Sequence, residues 1–210
     1  MRAVRELTLL ALLSLPLFAA VPACAGNQLE EQMSHSVRAA LHKAVSDQSA
    51  PFLAFASQTE ARSWLDVMSY RLERRMPDRQ AREEFLITVH YEAKRAGLDP
   101  PLVLGLIQVE SAFRKYAVST AGARGLMQVM PFWVKVIGGN DDNLFHLRTN
   151  LRFGCVILRH YIDIEKGDLY RALGRYNGSL GQPEYPNMVL AAWKQWDFSP
   201  AAPGVIKTKN

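Results

Sequence analysis

Two cysteines, Cys24 and Cys155, are all that the 210 residues contain, which excludes a disulfide-dense scaffold and leaves packing to hold the core. Long apolar runs are scarce as well. Residues 7–20 are apolar but few, and Thr8, Ser14 and Pro16 interrupt them, so the stretch does not suit a membrane span. No strand-like alternation of useful length occurs, no internal repeat is visible, and no pair of His, Asp or Glu residues has metal-ligand spacing. Charge of one sign is not concentrated either. The 25 basic and 20 acidic residues are scattered and accompany no nucleic-acid-binding motif, so no nucleic-acid partner is expected. What remains is an all-α fold with at most a small β element near Asn140, needing neither metal nor cofactor.

The N-terminus has its own organisation. Arg2 and Arg5 precede the apolar run, and Ala23, Cys24 and Ala25 supply small residues in an A-x-A pattern, the succession of a secretory signal peptide over residues 1–25. Cleavage after Ala25 leaves Cys155 as the only cysteine. Cleavage before Cys24 leaves Cys24 to carry a lipid and tie the chain to a membrane, a pattern that Pro22 fits poorly. Neither route permits an intramolecular disulfide. Losing Arg2, Arg5 and Glu6 takes the basic and acidic residues to 23 and 19, a net charge of +4 that suits an acidic polymer and equally an ordinary solvated surface.

After the leader, hydrophobic spacing predicts a series of helices. Leu29, Met33, Val37, Leu41, Ala44 and Val45 mark the first, over residues 27–47. Ser57 and Glu60 have the form of a capping box, and Ala61, Trp64, Leu65, Met68, Leu72 and Met76 then define one face of a second. Pro77 and Asp78 break the pattern, so residues 26–77 are read as a helical extension and residues 78–198 as the main domain. Asp78 caps a third helix, carrying Phe85, Leu86, Val89, Ala93 and Ala96, which Gly97 ends in the left-handed conformation; His90 and Tyr91 within it are read as structural. Leu147, Leu151, Cys155, Leu158 and Ile162 mark a long helix ended by Gly167, with Cys155 a small core residue. Asp168 caps the next, and a last helix spans residues 185–196. There Tyr185, Val189, Ala192, Trp193 and Trp196 share a side, and the sequence leaves Trp193 and Trp196 between core packing and sugar stacking. Residues 199–210 lack periodicity and are expected to be an unstructured tail.

The rest of the chain is arranged around the stretch from Leu102 to Pro131, where Glu110 is either a candidate acid or a carboxylate that merely reaches solvent from a helix end. Leu102, Val103, Leu104, Leu106, Ile107 and Val109 cover nearly the whole circumference of a helix, so it is buried. Asp99 is placed to cap it and Pro100 fits its first position, so it should run to about Phe113 with Glu110 in its last turn. Apolar surroundings and the negative end of the helix dipole both disfavour a charged carboxylate there, and a raised pKa suits a general acid. A polar loop with Gly122 and Gly125 follows, then a short apolar turn to Met130 stopped by Pro131.

At these residues the chain resembles the lytic transglycosylases of the soluble-transglycosylase type. The matching positions are Glu110 and Ser111, then Ala117, Val118 and Ser119, then Gly122, Ala123, Gly125, Leu126, Met127, Gln128, Met130 and Pro131 without a gap, and later Tyr176 and Asn177. The likeness covers roughly residues 80–195. It implies a lysozyme-like helical domain related to goose-type lysozyme, an exported enzyme of the bacterial periplasm, and peptidoglycan glycan strands as substrate. It also implies Glu110 as catalytic acid and base, Ser119 holding an acetamido group, Gln128 and Met130 lining the cleft, and Tyr176, followed by Asn177, near the carboxyl. Ser111 fixes the loop. Gly178 and Ser179 stand where the family more often has Ala and Gly. A cell-wall or secretion assembly as partner is left open.

Glycosidases commonly use two carboxyl groups. No Asp or Glu lies between Glu110 and Asp141, so the expected mechanism uses Glu110 alone, with the muramyl C6 hydroxyl closing on C1 to give a 1,6-anhydro end. Two alternatives stay open at this point. Glu110 with a positioned water, or with Asp141, Asp142 or Glu184 as a base, would make the protein a water-using muramidase, and loss of catalysis would make it a wall-binding assembly protein.

Overall fold

The computed structural model describes residues 28–46, 49–139 and 141–198. Among the described residues the regular elements are all helical: α1 (His35–Val45), α2 (Gln58–Leu72), α3 (Arg79–Arg95), α4 (Pro100–Ser111), α5 (Phe132–Ile137), α6 (Leu147–Ile164), α7 (Leu169–Asn177) and α8 (Glu184–Gln195). Among the described residues the only β pairing is a pair of isolated antiparallel bridges, Val118 with Arg124 and Arg124 with Val129. They lie in the loop after α4, which folds back on itself so that the backbones of Arg124 and Val129 exchange hydrogen bonds, whereas Asn140, near which a small β element was expected, lies outside the described residues. The segment expected to be a signal peptide, Cys24 and residues 199–210 lie outside the described residues.

Helix starts follow local capping chemistry. Ser57, Asp78 and Asp168 each accept a hydrogen bond from a backbone N–H of their first turn, and Gly97 takes the positive φ that ends α3, whereas after α6 Lys166, with φ of 54°, turns left-handed one residue before the expected Gly167. Three bounds differ from expectation. α1 begins only at His35, because the Ser34 hydroxyl accepts from Val37 N–H and fixes the start there, leaving Leu29 exposed. α2 ends at Leu72, four residues before Met76. α4 ends at Ser111 rather than near Phe113, because Ala112 and Phe113 both adopt left-handed backbone, with φ of 49° and 66°.

α4 is the central element. Leu102 to Ile107 are all buried, and α4 packs more extensively on α8 than any other two helices pack on each other. Gly105 makes this possible: a Cβ there would stand 2.6 Å from the Trp193 backbone nitrogen. Asp99, expected to cap α4, makes no capping bond; its carboxylate accepts instead from the Trp193 indole N–H at 2.7 Å, joining the same two helices. Trp196 is core, with its indole donating to Gln108, and Trp193 is half-buried. Gly105→Ala is therefore expected to force α4 from α8 and cost about 1–3 kcal/mol. Thermal unfolding checks this, and an unchanged Tm would refute the close-approach argument.

α3 is buried beyond a simple stripe. His90 lies stacked on Phe55 and edge-on to Trp64, its pKa lowered to about 4 by burial and secondarily by Lys94. Glu92, fully buried, faces Arg95, Arg148 and Arg152. Cys155 is a buried free thiol in α6.

Candidate active site

The apolar circumference of α4 carries Glu110 inward in its last turn, where the residue is 2% exposed. One carboxylate oxygen, Oε1, accepts a 2.5 Å hydrogen bond from the Tyr185 hydroxyl, and Oε2 has no hydrogen-bond partner among the described residues. Burial raises the Glu110 pKa to about 8, against the smaller lowering effect of the Tyr185 hydrogen bond. The group is thus mostly protonated at neutral pH, as a general acid must be. An unsatisfied buried carboxyl oxygen costs stability in an ordinary core.

The loop after α4 is built by hydrogen bonds to its own backbone and by one long-range clamp. The Ser119 hydroxyl accepts from Ala123 N–H, and its own N–H donates to the Ala123 carbonyl. Gln128 adopts a positive φ of 47° and donates its side-chain amide to the carbonyls of Gly125 and Ala117. Its amide is thus satisfied within the loop. Asn150 of α6, 1% exposed, accepts from Met127 N–H at 2.8 Å and donates to the carbonyls of Arg124 and Leu144. Gly125 leaves room for that clamp, since a Cβ would stand 2.3 Å from the Asn150 amide nitrogen. Met130 is half-buried, with its N–H donating to Gln28.

Tyr176 is fully buried, and its hydroxyl donates to the Met127 carbonyl at 2.7 Å. Burial pushes the phenol pKa well up, and Glu110 is the first of the nearby groups that add to this, which puts the two side chains in one neighbourhood. Asn177 donates to the Ser179 hydroxyl and leaves its buried carbonyl oxygen unpaired. Ser111 donates back to the Ile107 carbonyl. The structure therefore brings Glu110, the loop from Ala117 to Met130 and Tyr176 together. Asp141 and Glu184 are exposed, and Asp142 accepts from Gly139 N–H in its own loop. No group of three His, Cys, Asp or Glu side chains among the described residues could hold a metal ion.

Three residues of this neighbourhood escape a sequence-level analysis. Tyr185 reads as one more apolar-face residue of α8, Asn150 as a polar residue inside α6, and Gln28 as the hydrated flank of a helix. Each acts through a contact 23 to 102 residues away in the chain. The one local hint was the placing of Tyr185 on the packed face of α8.

A family model described as the transglycosylase SLT domain matches residues 88–185. The chain is similar to a membrane-bound lytic murein transglycosylase C of Actinobacillus pleuropneumoniae, with 56% identity over 84 residues that make up 36% of this chain and 23% of that protein. A protein of the same name from Glaesserella parasuis is 43% identical over 83 residues, 35% of this chain and 23% of the relative. A transglycosylase of Enterobacteria phage PRD1 is 35% identical over 98 residues, covering 47% of this chain and 36% of the relative. The chain thus spans well under half the length of these relatives. Among solved structures, the X-ray structure of an inactive mutant of the lytic transglycosylase Slt from Pseudomonas aeruginosa aligns with a TM-score of 0.48 at 20% identity, over 63% of this chain and 30% of that one.

Proposed function

We propose, from the SLT-type transglycosylase domain that the chain carries, that it is a lytic transglycosylase cleaving the β-1,4 bond between N-acetylmuramic acid and N-acetylglucosamine in peptidoglycan. The single observation that carries this is Glu110: a carboxyl 2% exposed, with pKa about 8, hydrogen-bonded by a phenol and facing no second acid among its described neighbours. Protonated, Glu110 gives its proton to the glycosidic oxygen as the bond to C1 breaks. The substrate's acetamido group supports the cationic centre, the C6 hydroxyl oxygen bonds to C1, and its proton returns to the Glu110 carboxylate. Atoms balance without water, and the new end is a 1,6-anhydro sugar. Ser119, Gln128, Met130, Tyr176 and Asn177 are proposed to shape the cleft, Gln128 through its loop rather than by a free amide.

Residues 78–198 are proposed as the catalytic domain, with residues 26–77 an extension. Export by the leader at residues 1–25 puts the substrate within reach; cleavage before Cys24 with lipidation of that residue would instead anchor the enzyme at a membrane, as the word membrane-bound in the relatives' names suggests. Incubating the protein with purified peptidoglycan and following release of soluble muropeptides tests the activity, and no release at any pH would refute it.

Tyr185→Phe sharpens the role of the carboxyl. The hydrogen bond from Tyr185 lowers the Glu110 pKa, so its loss raises that pKa further and moves the alkaline limb of the pH–rate profile upward. A profile unchanged from wild type would remove Tyr185 from the site.

A further inference from the structure

Residues 28–33 precede α1 and run past the site without helical structure. Their burial is inverted. Leu29 is 67% exposed, whereas Gln28 is 3% exposed, so hydrogen bonds rather than apolar burial hold this end of the segment. The Gln28 carboxamide donates to the Gln128 carbonyl at 3.5 Å and accepts from Met130 N–H at 3.3 Å. Three residues on, Glu31 pairs with Arg175 at 2.7 Å, next to Tyr176 in α7. One segment thus touches both walls that meet near Glu110.

A backbone carbonyl and a backbone N–H two residues apart, both aimed at one planar amide, form a recognition element for amides. The acetamido group of an N-acetylated sugar presents the same pair, one N–H and one C=O in a plane. We propose that residues 28–33 are an autoinhibitory strap, in which the Gln28 carboxamide stands in for a substrate acetamido group between Gln128 and Met130 and must leave before a glycan strand can seat. This rests on the glycan reading of the site given above.

The strap is built to be displaced. Its two backbone bonds sit at the long end of hydrogen-bond range, and the Glu31–Arg175 pair is partly exposed and open to screening by salt. Sugar and strap compete, so apparent affinity is the intrinsic affinity reduced by the fraction of molecules with the strap open.

The test uses the full chain carrying Glu110→Gln, so that nothing is turned over, titrated with a tetramer of N-acetylglucosamine. Adding Gln28→Ala is expected to tighten binding by about tenfold, the effect of losing a strap open in roughly one molecule in ten. Glu31→Gln is expected to move it the same way by less. Hydrogen exchange gives a second readout. The Met130 amide should lose protection in Gln28→Ala and regain it when the sugar binds. Unchanged or weaker binding with Gln28→Ala, or a Met130 amide that the sugar does not protect, overturns the strap and leaves the catalytic reading intact. Failure of every variant to bind the tetramer overturns the strap together with the N-acetylated glycan it imitates, whereas release of muropeptides by the wild-type chain bears on the catalytic reading alone.

Discussion

Glu110→Gln is expected to lower wall cleavage by between about a hundredfold and ten-thousandfold, the range spanned by loss of a general acid and base. The amide keeps the shape of a carboxyl that is already neutral at pH 7, so the fold should survive. Stability should then separate the two proteins by pH. The Glu110 pKa is raised from 4.5 to about 8 in the folded chain. Between those values the folded state holds a proton that the unfolded state releases, so wild-type stability is fully present below the lower value and falls as pH rises through the upper one. The variant lacks that slope. Denaturation at pH 5 and pH 9 should therefore show Glu110→Gln gaining on wild type at the higher pH, and a constant difference would mean that the carboxyl is not buried as described. Wild-type cleavage by the folded variant would remove Glu110 from the chemistry.

Glu92→Gln should give the largest loss of stability. Glu92 is fully buried; Oε2 accepts from Arg95 at 3.0 Å, and Oε1 accepts from Arg148 at 3.3 Å and from Arg152 at 3.2 Å. The same arginines reach out to the extension: Arg152 donates to the Val45 carbonyl at the end of α1, and Arg148 to the Ser49 carbonyl. An amide keeps the shape but removes the negative charge, leaving a nearly buried Arg152 without its counterion. Breaking one side of a buried ion pair costs about 3–5 kcal/mol. Urea unfolding measures this, and a loss within about 1 kcal/mol, the scale of an exposed pair, would show that water reaches the cluster.

How much of this was legible in the sequence follows from the range of each interaction. Caps at Ser57, Asp78 and Asp168 and the helix-ending Gly97 are local, and they stand where their neighbours in sequence put them. The all-α class and the buried α4 follow from periodicity, and Glu110 from its place at the end of an apolar run. Asp99 shows the limit. Its position fits a cap, but the Trp193 indole, brought in by the close packing of α8 at Gly105, takes its carboxylate instead. Leu29 and Met33 likewise lie at helical spacing, yet the segment is drawn off by Gln28 and Glu31, whose partners lie about a hundred residues or more downstream. Buried polar residues such as Asn150, Tyr185 and Gln28 look like surface or core residues until the partner is known.

The most direct measurement is the chemistry of the new chain end. Purified peptidoglycan digested by the protein should yield muropeptides ending in 1,6-anhydro-muramic acid, because in the proposed mechanism Glu110 acts alone and the C6 hydroxyl, rather than water, closes on C1. Mass spectrometry reads the missing water, and borohydride leaves such ends unmodified. Predominantly reducing muramic ends, heavier by one water and reduced by borohydride, would mean that water attacks C1, and would contradict the single-carboxyl mechanism.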